Sequence, residues 1–73
     1  MSNQRYDDET YKDYQIRIYA ERVDATSAWT IEVHIQAPDG SHLPAIRDND
    51  DSYDDLGVAF ATGSQIGRDV VDS

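Results

Sequence analysis

The chain has 73 residues, a net charge of −9 and no cysteine, and 38% of its residues are hydrophobic. The missing cysteines exclude a disulfide framework, a thiolate metal site and a cysteine nucleophile, and the acidity argues against nucleic acid, whose phosphates are bound by Lys and Arg. Because there is neither an apolar run near the roughly 20 residues of a membrane span nor a secretory leader, we expect a soluble, cytoplasmic protein without a membrane partner.

The N-terminal segment is polar and shows no apolar periodicity. We therefore expect residues 1–10 to form a disordered lead-in and residues 11–73 to form a single domain. From Tyr14 onward apolar and polar residues alternate, which is typical of a half-buried strand. A second alternating run begins at Trp29, after a polar segment of turn-forming residues.

The two alternating runs predict a β-hairpin. A turn centred on Ala25 and Thr26 would place Ile16 opposite Ile35 and would put every apolar partner on one face of the sheet. A one-residue slip would pair apolar with polar residues along the whole ladder, so the register is strongly specified.

A third strand is predicted over residues 42–47, after a turn at Pro38-Asp39-Gly40. A three-residue loop would put Leu43 opposite Ile35 and Ala45 opposite Val33. Pro44 cannot donate to a ladder and marks this strand as an edge. The pattern leaves open whether Ile46 points inward.

The remainder predicts a helix from about Tyr53 to Val71, with Ser52 and Asp55 approximating a capping box. Its apolar residues share one stripe that includes Gly63 and Gly67. We interpret these glycines as flat spots that let the helix approach Trp29 or an inward isoleucine. The predicted fold class is α+β: a three-stranded antiparallel β-meander with one C-terminal α-helix packed on one face, in the order β-β-β-α.

More than half of the net charge lies in the segment 48–55, which contains five aspartates. Clustered carboxylates are calcium ligands, and a calcium-loop alignment would use Asp48, Asp50 and Asp54. The alignment fails at two positions of the calcium loop: it has no glycine at position six, where the turn needs one, and no bidentate glutamate at position twelve. We therefore favour a solvated loop leading into a first helical turn whose carboxylates complement the helix dipole. A divalent-cation or small-ligand module on residues 48–55 is the alternative.

The face of the sheet that the helix leaves open carries a mixed patch centred on Tyr19. Its candidate interface residues are Arg17, Tyr19, Glu32 and His34. Tyr and Arg are enriched at interface hot spots, although an ordinary solvated face with contacts between Arg17 and Glu32 or His34 explains the same pattern. The first strand is also an edge in this prediction, which offers a second route to a dimer.

Neither histidine, His34 or His42, has partners at a spacing that indicates a metal site or a general base. A helix on three short strands also offers little concavity, so we expect no enzyme and no cofactor. The strand order resembles the C-terminal part of a double-stranded-RNA-binding domain. That domain carries lysines at the start of its last helix, where this chain carries Asp54 and Asp55, which argues against RNA binding.

The chain also resembles small single-domain bacterial proteins of β-β-β-α type. The resemblance covers residues 11–72 and is carried by the segment 11–16, by Trp29, by Pro38-Asp39-Gly40 and by the ending Val70-Val71-Asp72. It implies a fold and no activity. Our expectation is a non-enzymatic protein that acts through protein contacts, with self-association or a protein partner.

Overall fold

A computed structural model describes residues 3–73, with the backbone alone at positions 48–51. Four antiparallel strands lie in chain order in one sheet, and a C-terminal helix packs on the sheet. The elements are β1 (Gln4–Tyr11), β2 (Tyr14–Glu21), β3 (Trp29–Gln36), β4 (Ile46–Tyr53) and α1 (Leu56–Asp72). The predicted α+β class, with an antiparallel meander and a C-terminal helix, is confirmed.

The central hairpin of β2 and β3 has the predicted register. Ile16 pairs with Ile35, Ile18 with Val33 and Ala20 with Ile31. Because side chains alternate between the two faces of a strand, these residues all point toward α1. Together with Trp29 and Ala59 they form the buried core of the described residues.

Residues 4–10 of the segment predicted as a disordered lead-in belong instead to the strand β1, and residues 1–2 lie outside the described residues. The ladder with β2 runs from the pair of Gln4 with Glu21 to the pair of Tyr11 with Tyr14. β1 lies at the edge of the sheet and none of its residues, all of which are described, is buried. Tyr11 is the one residue of this strand that packs against the core. An edge strand that buries so little need not alternate apolar and polar residues, so periodicity could not reveal it. The meander therefore has four strands, and β2 is an interior strand rather than the predicted edge.

The last strand is longer and later than predicted. Leu43 donates its N–H to the carbonyl of Ile35 over 2.9 Å, in agreement with the predicted pairing, but Val33 pairs with Ile46 rather than Ala45. The acidic segment predicted as a loop belongs to β4, which continues to Tyr53 and bulges opposite β3. Backbone pairing with the exposed edge of β3 satisfies hydrogen bonds that a loop would leave to water.

The helix begins at Leu56, with two residues between it and the end of β4, and its cap is Asp55 rather than Ser52. The Asp55 carboxylate accepts from the N–H groups of Gly57 and Val58, over 2.7 and 3.3 Å, which satisfies two of the free donors at a helix start. The predicted apolar stripe faces the sheet. Gly63 and Gly67 are buried on it, and β carbons built at these positions would lie 2.5 Å from Ile18 and 2.7 Å from Ile16.

Candidate functional site

The face of the sheet opposite α1 is lined by polar and aromatic side chains from all four strands. Tyr6 and Asp8 of β1 lie opposite Tyr19 and Arg17 of β2. Arg17 in turn lies opposite His34 of β3. The register thus brings the predicted residues together with two from a strand that the sequence did not predict. We refer to this surface, built on Tyr6, Asp8, Arg17, Tyr19, Glu32, His34 and Arg47, as the open face.

Arg17 is the centre of the first half of the open face. Its Nε and Nη2 donate to the two carboxylate oxygens of Asp8 over 2.6 and 2.9 Å, a bidentate geometry that holds the guanidinium plane. The guanidinium carbon lies 4.8 Å from the ring centroid of Tyr6 and 5.9 Å from that of Tyr19. The hydrogen bond from Arg17 lowers the pKa of Asp8, so both groups are charged at neutral pH.

The second half of the open face continues through aromatic and charged contacts. Tyr19 meets the ring of His34 edge-to-face, with centroids 4.9 Å apart, a favourable aromatic geometry. The Nε2 of His34 and the Nε of Arg47 each lie 3.2 Å from the same carboxylate oxygen of Glu32. The predicted residues therefore form one connected network, although Arg17 pairs with Asp8 rather than with Glu32.

Two depressions flank Tyr19 on the open face. One has a volume of about 640 Å³ and is lined by Asp8, Arg17, His34 and His42 among others. The other, of about 240 Å³, lies between Glu21, Glu32 and Arg47 and also includes Tyr19. Tyr19 is 38% exposed and lines both depressions, so it lies between the two hollows.

The charges of the open face are nearly balanced in a chain that is otherwise strongly acidic. Among the side chains that define it, Arg17 and Arg47 oppose the carboxylates of Asp8 and Glu32, with Glu21 at its border, whereas the whole chain carries −9. Like-charge repulsion between two copies of an acidic protein is weakest where the local charge is close to zero. The open face is such a region.

The candidate cation ligands fall largely outside the described side chains. Asp48 and Asp50 lie in the part of β4, residues 48–51, where the structure describes only the backbone, and Asp54 is exposed between β4 and α1. Among the described residues, no three His, Asp or Glu side chains converge as metal ligands would. His34 and His42 line the same depression. Within the part of the chain that the structure describes, they belong to no group of three possible metal ligands.

A second set of charges joins β1 to α1 on the covered face of the sheet. Arg68 donates to Glu9 over 2.7 Å, and Asp72 accepts from Tyr11 over 2.8 Å and pairs with Lys12. Burial of the Glu9 carboxylate opposes its ionisation, but hydrogen bonds from Ser64 and Arg68 outweigh burial and lower its pKa. The hydrogen bonds from Lys12 and Tyr11 likewise lower the pKa of Asp72.

These pKa shifts predict that acid loosens β1 before the rest of the sheet. A carboxylate whose pKa is depressed by folding contributes stability that is complete above its unfolded pKa and is lost as the pH falls through its folded pKa. The ordinary values are 3.8 for Asp8 and 4.5 for Glu9, so the loss begins below about pH 4.5. Amide exchange, corrected for intrinsic rates, should show protection in β1 falling between pH 6 and pH 3 while protection in β3 changes less.

A matched variant tests the cause. Glu9→Gln keeps the shape of the side chain and removes its titration, so the pH dependence of β1 protection should become smaller in this variant, with the part due to Asp8 and Asp72 remaining. Parallel loss of protection in β1 and β3 of the wild-type protein would contradict the prediction, because it would mean that the strands open together.

The sequence indicated Arg17, Tyr19, Glu32 and His34 but missed Tyr6 and Asp8. The available signal was the pairing of opposite charges: a two-residue turn at Lys12 and Asp13 would place Asp8 opposite Arg17. Comparison with known proteins adds no assignment, since no family model, curated protein or solved structure matches the chain. Within residues 3–73 no helix is long and apolar enough to cross a membrane.

Proposed function

We propose that this is a non-enzymatic protein that acts through protein contacts made by its open face, and that the partner is a second copy of the chain. The observation that carries the proposal is the connected aromatic and arginine network centred on Tyr19 and Arg17. Exposed Tyr and Arg side chains held by their neighbours lose little conformational entropy on binding, which is why they are frequent hot spots.

Shape and charge favour a second copy over an unrelated protein. A two-fold symmetric contact is self-complementary, so each feature must meet its counterpart on the same surface. Tyr19 has a depression on either side, and each depression can receive the Tyr19 ring of the second copy. Both signs of charge are present on the face, with Arg47 and Glu32 on one side of Tyr19 and Arg17 and Asp8 on the other.

The test is the dependence of molecular mass on concentration, measured by sedimentation or light scattering. We expect a reversible dimer whose dissociation constant rises about tenfold or more in Tyr19→Glu. Val23→Glu is the matched control, because Val23 is 89% exposed in the loop after β2 and the substitution adds the same charge. A wild-type chain that is monomeric at every concentration would remove the proposal, as would equal weakening by both variants.

A further inference from the structure

β1 is attached to the rest of the protein in a different way from the interior strands β2 and β3. Three of the eight residues of β2 are buried, and four of the eight residues of β3, whereas none of β1 is. Apart from its backbone ladder, β1 makes side-chain contacts near the surface, among them Asp8 with Arg17, Glu9 with Arg68, Tyr11 with Asp72 and Tyr6 with Tyr19. Of the residues of β1, Tyr11 alone packs against the core, so removing β1 uncovers less apolar surface than removing an interior strand.

The turn that connects β1 to β2 is strained. Its two central residues, Lys12 and Asp13, have φ values of 50° and 69°. Two-residue hairpin turns of this kind are normally built from Asn-Gly or Gly-Gly, because a side chain at positive φ meets its own backbone. A lysine in this conformation is unusual, and the strain disappears when the turn opens into an extended segment.

We propose that β1 exchanges between two copies of this chain, so that β1 of each copy pairs with β2 of the other. The turn opens, and β1 and β2 become one continuous strand. All eight residue pairs of the hairpin can be remade in the same register between the two chains, including the bidentate Asp8–Arg17 contact. The cost is the association of two chains, and the gain is relief of the positive φ at Lys12 and Asp13 in both copies.

Extending the register across the opened turn adds a contact that the closed chain lacks. Tyr11 pairs with Tyr14 in the closed hairpin, so the same register places Lys12 of one copy opposite Asp13 of the other. Opposite charges directly across an antiparallel pair are stabilising. In the exchanged pair, the segment Lys12-Asp13 of one copy is therefore complementary in charge to the same segment of the other copy.

Strand exchange is distinct from the contact proposed for the open face. The exchanged strand occupies the edge of β2, and it returns Tyr6 and Asp8 to the open face of the other copy. The open face is therefore complete in both arrangements. A variant that disrupts one association leaves the other measurable.

A pair of engineered cysteines reports the exchange directly. Thr10 and Gln15 lie opposite each other on β1 and β2, and the chain has no cysteine of its own. In the double variant Thr10→Cys/Gln15→Cys, a closed chain forms a disulfide within itself, whereas an exchanged pair forms two disulfides between chains. After equilibration at high concentration, mild oxidation should give a covalent dimer in non-reducing mass analysis.

The single variant Thr10→Cys measures how much covalent dimer forms by random cross-linking. The cysteine pair combined with Tyr19→Glu separates strand exchange from the open-face association. Exchange predicts that the covalent dimer persists in Tyr19→Glu even if the open-face association is lost. Disulfides confined to single chains at every concentration, or a covalent dimer no more abundant than in Thr10→Cys, would overturn the exchange. Neither result bears on the open-face association.

Substitutions at the turn provide a second test with opposite expected signs. Asp13→Gly accepts the positive φ and should lower the ratio of exchanged to closed chains about tenfold. Asp13→Pro cannot adopt a positive φ and should raise that ratio. An unchanged ratio in Asp13→Gly would contradict the proposal, whether or not Asp13→Pro folds.

Discussion

Replacing Gly63 by alanine should destabilise the protein by about 1–2 kcal/mol, although alanine is the better helix former. A β carbon at this position would lie 2.5 Å from Cγ2 of Ile18 and 3.0 Å from its Cγ1. Ile18 is 1% exposed in the core, so neither side chain can move aside without displacing α1 from β2. Overpacking of this kind typically costs about 1–3 kcal/mol, which outweighs the propensity gain of about 1 kcal/mol.

Chemical denaturation monitored by circular dichroism measures the effect. Ala61→Gly is the control for propensity, because Ala61 is exposed on the same helix and should cost only about 1 kcal/mol. The double variant Gly63→Ala/Ile18→Ala should be more stable than the sum of the two single losses, since the new methyl group then has room. Additive losses would show that the contact with Ile18 is not the cause.

Replacing Trp29 by alanine should leave the chain largely unfolded. Trp29 is 4% exposed at the start of β3 and pairs with Tyr53 beyond the bulge of β4. Removing a buried tryptophan side chain costs about 3–5 kcal/mol, and a single core of this size rarely supplies more than about 3–5 kcal/mol in total. One substitution should therefore cancel most of the free energy of unfolding.

The loss of stability in Trp29→Ala should come from the lost volume of the indole ring and not from the lost contact between that ring and Arg22. The guanidinium of Arg22 lies 4.4 Å from the centroid of the Trp29 ring, a contact worth about 0.5–1 kcal/mol at an exposed site. Arg22→Ala should therefore stay folded, and Trp29→Phe should keep part of the stability. Far-UV circular dichroism is the appropriate measurement, since Trp29 is the only tryptophan. An Arg22→Ala variant as unstable as Trp29→Ala would contradict this explanation.

Local patterns were sufficient for the parts of the fold that bury apolar surface. The alternation from Tyr14 to Glu21 and from Trp29 to Gln36 specified the central register, because a slip would move every apolar side chain to water. The apolar stripe of α1, and the close approach of its two glycines to the sheet, were likewise predicted from the spacing of its apolar residues. Helix capping was less well predicted: Asp55 caps the helix, and the chain before it continues the sheet.

The candidate site was predictable only in part. Arg17, Tyr19, Glu32 and His34 could be placed on one face because they alternate with core residues on β2 and β3. The pairing of Arg17 with Asp8 required a strand whose own residues show no periodicity.

The sequence by itself determined the hairpin of β2 and β3, the packing face of α1 and the balanced charge of the residues that alternate with the core. Only the tertiary structure decided that polar segments at both ends of the sheet, β1 and β4, are strands. The physical reason is that burial of one face requires apolar residues at a regular spacing, which is visible in the sequence. Edge strands form instead because the backbone of the neighbouring strand needs hydrogen-bond partners. Every residue type except proline can both donate and accept these backbone hydrogen bonds, so they leave little trace in the sequence.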